Sequence, residues 1–179
     1  MSHIHVACGE VDFEKILATD WAYLAGIYDG EGSVCTHQRT VISRTGPKNH
    51  LAIRFVVTNS SYDMLESLCM QFGGSIHTHR STKTQSKPHY QWLVSGKWHI
   101  RELLRRMLPY LRYKAEEARL TIEFYKDAKI IETNRSQLTV TEQARRIAII
   151  DKIRSIPGRR KPRTAMKVAG PIDYRKVSA

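Results

Sequence analysis

The part of this sequence that most constrains its fold is a short stretch at residues 21–34, which reads W-A-Y-L-A-G-I-Y-D-G-E-G-S-V. Its first ten residues are typical of a helix, and either Thr19 or Asp20 could be the N-cap. A glycine inside a helix costs about 1 kcal/mol relative to alanine, so a helical glycine needs a structural reason. Small residues at every fourth position indicate close approach of another backbone. The residues of this stripe are Ala22, Gly26 and Gly30.

Two carboxylates, Asp29 and Glu31, lie at the predicted C-terminal end of this helix. The helix dipole is negative at that end and repels an anion by about 0.3–1 kcal/mol. A carboxylate placed there is often the ligand of a cation. The stretch therefore predicts a close-packed helix pair that brings acidic groups to a metal. We expect Gly30 and Gly32 to allow the sharp turn from this helix into a strand.

The distribution of charge indicates a polyanionic partner. The 179 residues include 29 Lys and Arg against 17 Asp and Glu, which gives a formal net charge of +12 and a pI near 9.8. Residues 1–32 nevertheless contain six acidic residues and one Lys. A basic chain with one acidic region suits a nuclease, whose positive surface binds phosphates and whose carboxylates bind metal. A basic binder of the ribosomal type, with an incidental acidic N-terminus, is the alternative at this point.

The cysteines and the hydropathy pattern bear on the compartment. Cys8, Cys35 and Cys69 are odd in number and lack C-x-x-C spacing, so we expect reduced thiols rather than a disulfide framework or a zinc site. The longest apolar run is too short to span a bilayer, and the N-terminus does not resemble a secretory signal. We expect an intracellular protein that is neither secreted nor membrane-bound, in the cytoplasm or an organelle.

Hydrophobic periodicity predicts an alternation of strand pairs and helices. Strands are predicted over residues 33–45, 51–58, 75–82 and 90–95, and a turn over residues 45–49. Helices are predicted over residues 62–72, 97–108, 112–131 and 141–156. These elements suggest a single domain at residues 19–156, preceded by a loosely ordered lead-in at 1–18 and followed by a basic tail at 157–179.

Residues 24–32, L-A-G-I-Y-D-G-E-G, resemble the LAGLIDADG motif of homing endonucleases in its variant ending D-G-E-G. Ile27 is a conservative change, and Glu31 keeps a carboxylate where the family binds its metal. The predicted order of elements over residues 19–131 also resembles the family core. The resemblance implies an α+β fold, with an αββαββα core, an antiparallel saddle-shaped sheet and additional C-terminal helices. The outright matches to the motif are Leu24, Ala25, Gly26, Asp29 and Gly32.

The resemblance further implies a homing endonuclease, which makes a staggered double-strand break in a long DNA target by phosphodiester hydrolysis with Mg²⁺ or Mn²⁺, and an intron-borne gene. The motif occurs once, so two chains would have to pair their motif helices in a two-fold homodimer. Such a dimer implies a pseudo-palindromic target about two helical turns long, at ~10 bp per turn. The expected interface residues are Ala22, Tyr23, Gly26, Ile27 and Gly30.

Three positions are candidates for the chemistry that the resemblance implies. Glu31 would be the metal ligand, together with the Gly30 carbonyl. Asn59 ends the segment V-T-N, which resembles the family's V-T-Q, so it would either position water near the active centre or cap the next helix. Lys114 ends residues 108–114, which resemble the family's L-x-P-x-L-x-x-K segment, and would lie near the scissile phosphates. A lysine at the start of a helix opposes the dipole, which argues against a purely structural role. We expect Asp29 to be structural, as a cap or a cross-helix partner.

Polar side chains on the predicted strands indicate a surface for double-stranded DNA. A twisted antiparallel ribbon fits the major groove, where every base pair presents a distinct pattern of donors and acceptors. A merely solvated sheet face would usually carry Glu and Lys rather than five histidines. The predicted contact residues are Cys35, His37, Arg39, His50, Arg54, His77, His79, Arg80, His89 and Gln91.

Two other functions are compatible with this fold. One is an RNA maturase that assists splicing, with intron RNA as the partner, and the other is a regulator that binds DNA without cutting it. The presence of Glu31 and Lys114 favours cleavage over both.

Overall fold

The computed structural model describes residues 6–9, 11–43, 46–79, 89–128 and 139–158. Five strands form one antiparallel sheet in the order β1-β4-β5-β3-β2. The strands are β1 (Val6–Cys8), β2 (Gly32–Ser43), β3 (Gly46–Asn59), β4 (Gly74–His79) and β5 (His89–Val94). The helices are α1 (Ala18–Glu31), α2 (Tyr62–Phe72), α3 (Lys97–Met107), α4 (Ala115–Phe124) and α5 (Val140–Ser155). Short 3-10 helices cover Phe13–Lys15 and Leu108–Tyr110. The α+β fold and its αββαββα core are confirmed.

Side-chain alternation decides which face of the sheet the helices cover. On β3, Ile53, Phe55 and Val57 are fully buried, whereas Arg54 between them is exposed. Trp92 of β5 is buried on the same side, and these residues share one hydrophobic core with the apolar faces of the helices. The opposite face of the sheet carries the polar positions.

The motif helix α1 packs through one face only. Trp21, Leu24, Ala25 and Tyr28 are buried. The helix begins after Leu17, which is its N-cap and, within the described residues, makes no side-chain capping bond. The prediction of Thr19 or Asp20 as the N-cap is therefore wrong, because the first turn forms one residue before Thr19.

Gly32 is not needed for the sharp turn that the sequence suggested. Its φ of −75° is ordinary extended backbone, and β2 follows α1 directly, so the junction needs no special glycine conformation. A Cβ at Gly32 would instead lie 2.1 Å from Cδ2 of Tyr28. Gly32 is thus required because the Tyr28 ring packs against its backbone.

Several predicted boundaries differ from the observed ones. Residues 46–49, predicted as a turn, belong to β3, because the β2–β3 ladder continues to the pair Ser43 and Gly46. The lead-in contains β1, a strand of three residues that pairs with β4 and is too short for periodicity to reveal. Helix α4 begins at Ala115 rather than near Arg112, and it ends at Phe124. The proposed tail lies, from residue 159 onward, outside the described residues, and the domain boundaries stay a prediction.

The expectation of three reduced thiols is wrong. Cys8 and Cys69 form a disulfide with a Cα–Cα distance of 5.8 Å, whereas Cys35 is a free, exposed thiol. The bridge joins β1 to α2, and a separation of 61 residues gives no local signal of such a pairing. Within the described ranges, every helix is too short or too polar to cross a bilayer.

Candidate active site and nucleic-acid interface

Glu31 and Asn59 meet where α1 runs into the sheet. Glu31 is the last residue of α1 and is exposed, and Asn59 is the last residue of β3. The side-chain amide of Asn59 donates from Nδ2 to Oε2 of Glu31. Its Oδ1 accepts a hydrogen bond from the backbone N–H of Ser61 at 2.7 Å. Because this bond holds the amide oxygen, the NH₂ group is directed at Glu31.

Asn59 is not the cap of α2. Ser61 is the N-cap, and its Oγ accepts a hydrogen bond from the Met64 N–H at 3.4 Å. Asn59 only shapes the turn that leads to this cap. The structure therefore brings Asn59 to the candidate metal ligand.

Asp29 is occupied by backbone amides. Its carboxylate accepts hydrogen bonds from the N–H groups of Arg112 at 2.8 Å, Tyr113 at 3.3 Å and Lys114 at 2.9 Å. These amides precede α4, so Asp29 lies at the positive end of that helix, where an anion is stabilised. The expected structural role of Asp29 is confirmed. The dipole argument for a metal therefore applies to Glu31 alone.

Lys114 is engaged with the motif helix. Its Nζ donates to the carbonyl of Tyr28 at 2.7 Å and to that of Gly32 at 2.6 Å, and it lies 5.4 Å from the centroid of the Tyr28 ring. A cation at the C-terminal end of α1 is favoured by the dipole of that helix. The inference that the dipole disfavours a structural role for Lys114 was wrong, because the side chain reaches a second helix.

A buried hydrogen-bonded pair lies beneath this site. Oε1 of Glu117 accepts hydrogen bonds from the Tyr28 hydroxyl at 2.5 Å and from the Val34 N–H at 3.1 Å. Sequence reasoning missed both Tyr28 and Glu117. A tyrosine on the buried face of α1 was the available signal, since a buried hydroxyl needs a partner, but nothing in the sequence identified Glu117 as that partner.

The side chains around Glu31 provide only part of a binding site for a hard divalent cation. Among the described residues, no three His, Cys, Asp or Glu side chains lie close enough together to hold a metal. Magnesium, however, is usually bound by one or two carboxylates together with waters and substrate phosphate oxygens. Glu31 fits such a site, which the DNA would complete.

The small-residue stripe of α1 is exposed at Ala22, Gly26 and Gly30. An added Cβ at Gly26 or Gly30 would meet no described atom within 4 Å, so contacts among the described residues do not require glycine at either position. Tyr23 is 58% exposed, and Ile27 is half-buried. This stripe, with Tyr23, Ile27, Glu31 and Met64, lines a groove of about 360 Å³.

Strand register places the predicted DNA-contact residues on the polar face of the sheet. Cys35 pairs with Arg54, and Gln91 lies between Thr58 and His77. Arg39 and His79 are placed by register alone, opposite His50 and His89 respectively. Arg80 lies outside the described residues. The exposed members are Cys35, His37, His50 and Arg54, and the half-buried members are His77, His89 and Gln91.

His37 is perturbed by its surroundings. Partial burial lowers the pKa of its imidazole below the usual value, and the positive charges of Arg54 and His50 lower it further. Near neutral pH, His37 is therefore uncharged and offers one ring donor and one ring acceptor.

Comparison with known proteins gives matches among solved structures alone. No family model matches the sequence, and no curated protein matches it. The archaeal intron-encoded homing endonuclease I-Vdi141I, complexed with DNA, superposes with a TM-score of 0.58 and 18% identity, over 80% of this chain and 89% of that one. The I-SmaMI LAGLIDADG homing endonuclease bound to cleaved DNA superposes with a TM-score of 0.52 and 19% identity, over 79% of this chain and 45% of that one. The I-LtrWI LAGLIDADG homing endonuclease bound to target DNA superposes with a TM-score of 0.52 and 17% identity, over 82% of this chain and 47% of that one.

These identities are low, so the similarity is one of fold. The chain spans most of the archaeal protein and just under half of the other two. Its nine-residue motif lies on α1 and ends with Glu31 at the start of the sheet. The resemblance found in the sequence is confirmed at this level, and the chain has the LAGLIDADG homing endonuclease fold.

Proposed function

We propose that this protein is a homodimeric, divalent-metal-dependent, site-specific DNA endonuclease. The observation that carries the proposal is the environment of Glu31, an exposed carboxylate at the end of the motif helix that accepts a hydrogen bond from Asn59. Because Asp29 is occupied by three backbone amides, Glu31 is the motif carboxylate that can take a metal. The Gly30 carbonyl, one residue earlier, would be a second ligand.

A bound Mg²⁺ or Mn²⁺ would polarise a phosphoryl oxygen and lower the pKa of a bound water. The residues of the chain would hold and orient this site. Asn59 would fix the direction of the Glu31 carboxylate through its Nδ2 donor. Lys114 would fix the end of α1 and bring a positive charge close to the bound phosphates.

The polar face of the sheet would bind the DNA target. Its exposed side chains include Arg54, which can donate to phosphate or to guanine, and His37 and His50, which can read base edges. A formal net charge of +12 would strengthen the attraction to the phosphate backbone. Sequence specificity would come from side chains on adjacent strands, which would contact base edges in the major groove of the DNA.

Two copies of α1 would pair through the exposed stripe of Ala22, Gly26 and Gly30. The lack of side-chain bulk lets two helix backbones approach closely. In a two-fold dimer each chain supplies one Glu31, so each active site would cut one strand of a pseudo-palindromic target. The lengths of two compared chains support a dimer of this protein, since the region that matches it covers only 45% and 47% of each.

The test is cleavage of a randomised duplex library by the purified protein with Mg²⁺. We expect cutting at a pseudo-palindrome by the native protein and loss of cutting in Glu31→Gln. Glu66→Gln, which changes an exposed carboxylate on α2, is the matched control and should still cut. Selective binding of duplexes without cutting by the native protein would instead support a regulator. Cutting that persists in Glu31→Gln would rule out Glu31 as the essential metal ligand.

A further inference from the structure

We propose that Tyr28 and Glu117 form a positioning pair that fixes the metal-binding end of α1. The inference rests on the proposed function, because it concerns how the chain holds Glu31. Neither residue is expected to touch metal or DNA, since Tyr28 is fully buried and Glu117 is 4% exposed.

One carboxyl oxygen of Glu117 bonds to residues on both sides of Glu31 in the sequence. Oε1 of Glu117 accepts hydrogen bonds from the Tyr28 hydroxyl at 2.5 Å and from the Val34 N–H at 3.1 Å. Tyr28 lies three residues before Glu31, and Val34 lies three residues after it. The same acceptor therefore holds both the last turn of α1 and the first residues of β2.

The sequence around the pair fits this arrangement. Tyr28 stands where the LAGLIDADG motif has isoleucine, so the chain departs from the motif at the residue that bonds to Glu117. The Tyr28 ring stacks on Phe55 at 4.8 Å, a contact that an apolar side chain could also make. Gly32 leaves room for the ring, because a Cβ there would lie 2.1 Å from Cδ2 of Tyr28. The hydroxyl is the part of Tyr28 that apolar packing does not explain.

Burying a carboxyl group is a poor route to stability, because well-packed apolar residues often stabilise a core as well or better. A directional bond is instead suited to fixing a position. Lys114, the N-cap residue of α4, also holds the junction between α1 and β2, because its side chain donates to the carbonyls of Tyr28 and Gly32. Through these contacts, α4 determines where Glu31 lies relative to Asn59.

Tyr28→Phe tests the pair, because it keeps the ring and removes the hydroxyl. In the DNA complex, we expect Mn²⁺ binding, measured by electron paramagnetic resonance, to weaken by about 10-fold. This is the lower end of the range for loss of a group bonded directly to a metal ligand, because Tyr28 acts on Glu31 only through the end of α1. DNA affinity measured in Ca²⁺ should stay within about twofold, because the sheet face is unchanged. Glu117→Gln should also stay close to the native protein in Mn²⁺ binding, since an amide oxygen can accept both hydrogen bonds.

A matched control separates positioning from general loss of stability. Tyr125 is another buried tyrosine, whose hydroxyl bonds to the N–H and the carbonyl of Ile53. Tyr125→Phe should lower the melting temperature without changing Mn²⁺ affinity. In the double variant Tyr28→Phe/Glu117→Gln, the carboxyl group that has lost its tyrosine donor becomes an amide, whose oxygen can still accept the Val34 N–H. We expect this variant to recover melting temperature relative to Tyr28→Phe but not Mn²⁺ affinity.

Hydrogen exchange measured by mass spectrometry gives a readout that does not require cleavage. Peptides that cover residues 29–35 should exchange faster in Tyr28→Phe than in the native protein or in Tyr125→Phe. If Tyr28→Phe matches the native protein in both exchange and Mn²⁺ affinity, or if the double variant recovers both properties, the positioning role is overturned. If native protein and Glu31→Gln bind Mn²⁺ equally on DNA, the proposed function itself fails, and the inference about its metal site fails with it.

Discussion

Asp29 and Lys114 cap each other's helices. The Asp29 carboxylate accepts the backbone N–H of Lys114 at 2.9 Å, while the Lys114 ammonium donates to the carbonyls of Tyr28 and Gly32 at the end of α1. Each helix end thus receives a charge of the sign opposite to its dipole. The exchange joins α1 to α4 at the point where Glu31 enters the candidate active site.

Replacing Lys114 should destabilise the protein even without DNA or metal. Lys114→Met leaves two carbonyls without a charged donor, and hydrogen bonds of that kind contribute about 1.5–3 kcal/mol. The measurement is the free energy of unfolding in urea. Lys126→Met is the control, because the Lys126 ammonium forms an exposed ion pair with Glu123 among the described residues, and its loss should change stability by less than about 1 kcal/mol. A lysine that acts only on the scissile phosphates would instead give native stability and lost cleavage.

The Cys8–Cys69 bridge should contribute measurably to stability. Closing a loop across 61 residues corresponds to about 4 kcal/mol in the chain-entropy model. Adding a reductant should therefore lower the melting temperature of the native protein, whereas Cys8→Ser/Cys69→Ser should be insensitive to reductant. Thiol titration of the denatured, unreduced chain should find one thiol, that of Cys35. Three thiols under those conditions would contradict the bridge.

The Cys35 thiol offers a direct probe of the proposed DNA surface. It is exposed on the sheet face opposite Arg54, and it is the free cysteine of the chain. We predict that saturating target DNA slows modification of Cys35 by a maleimide, because the bound duplex covers this face. A duplex that the protein does not bind is the control. Unchanged reactivity in the complex would place the DNA elsewhere on the protein.

Arg54 should contribute to DNA affinity in one of two recognisable ways. If its guanidinium contacts phosphate, Arg54→Ala lowers the slope of log affinity against log salt by about 1 and weakens all duplexes alike. If it contacts a base, the variant loses about 1–3 kcal/mol of discrimination at one position of the target. Binding titrations at several salt concentrations, with single-base target variants, distinguish the two. Native affinity and salt slope in Arg54→Ala would exclude both contacts.

Acidification should weaken the fold through His99. Burial lowers the pKa of His99, and a hydrogen bond to the Phe72 carbonyl only partly offsets this. The unfolded chain, with a histidine pKa of about 6.5, then binds more protons than the folded chain. The stabilisation that depends on uncharged His99 is therefore fully present above about pH 6.5, and it is lost as the pH drops below that value. His99→Gln should flatten this part of the profile in denaturation experiments from pH 5 to 8. An equally steep profile in the variant would assign the effect to another group.

The sequence was informative where function depends on local pattern. Alternation predicted that Cys35 and Arg54 point outward from their respective strands, and strand register shows that they are neighbours across β2 and β3. The motif identified Glu31 and the exposed stripe of Gly26 and Gly30, because helical periodicity fixes which residues share a face.

What the sequence did not reveal are side-chain partnerships between distant segments. The Tyr28–Glu117 bond spans 89 residues, and the Cys8–Cys69 bridge spans 61. The dipole argument for Lys114 considered its own helix alone, whereas its side chain donates to the carbonyls of Tyr28 on α1 and Gly32 on β2. Such pairings depend on how helices and strands pack together, which periodicity within one element does not report.

The most direct test uses mixed dimers on a supercoiled plasmid that carries the target. Native protein is co-expressed with Glu31→Gln, each with a different affinity tag, and the doubly tagged species is purified. If each chain of the dimer cuts one strand through its own Glu31, the mixed dimer will nick the plasmid without linearising it, and the Glu31→Gln homodimer will leave it intact. Linear product from the mixed dimer, or cutting by the variant homodimer, would contradict one Glu31-dependent active site per chain.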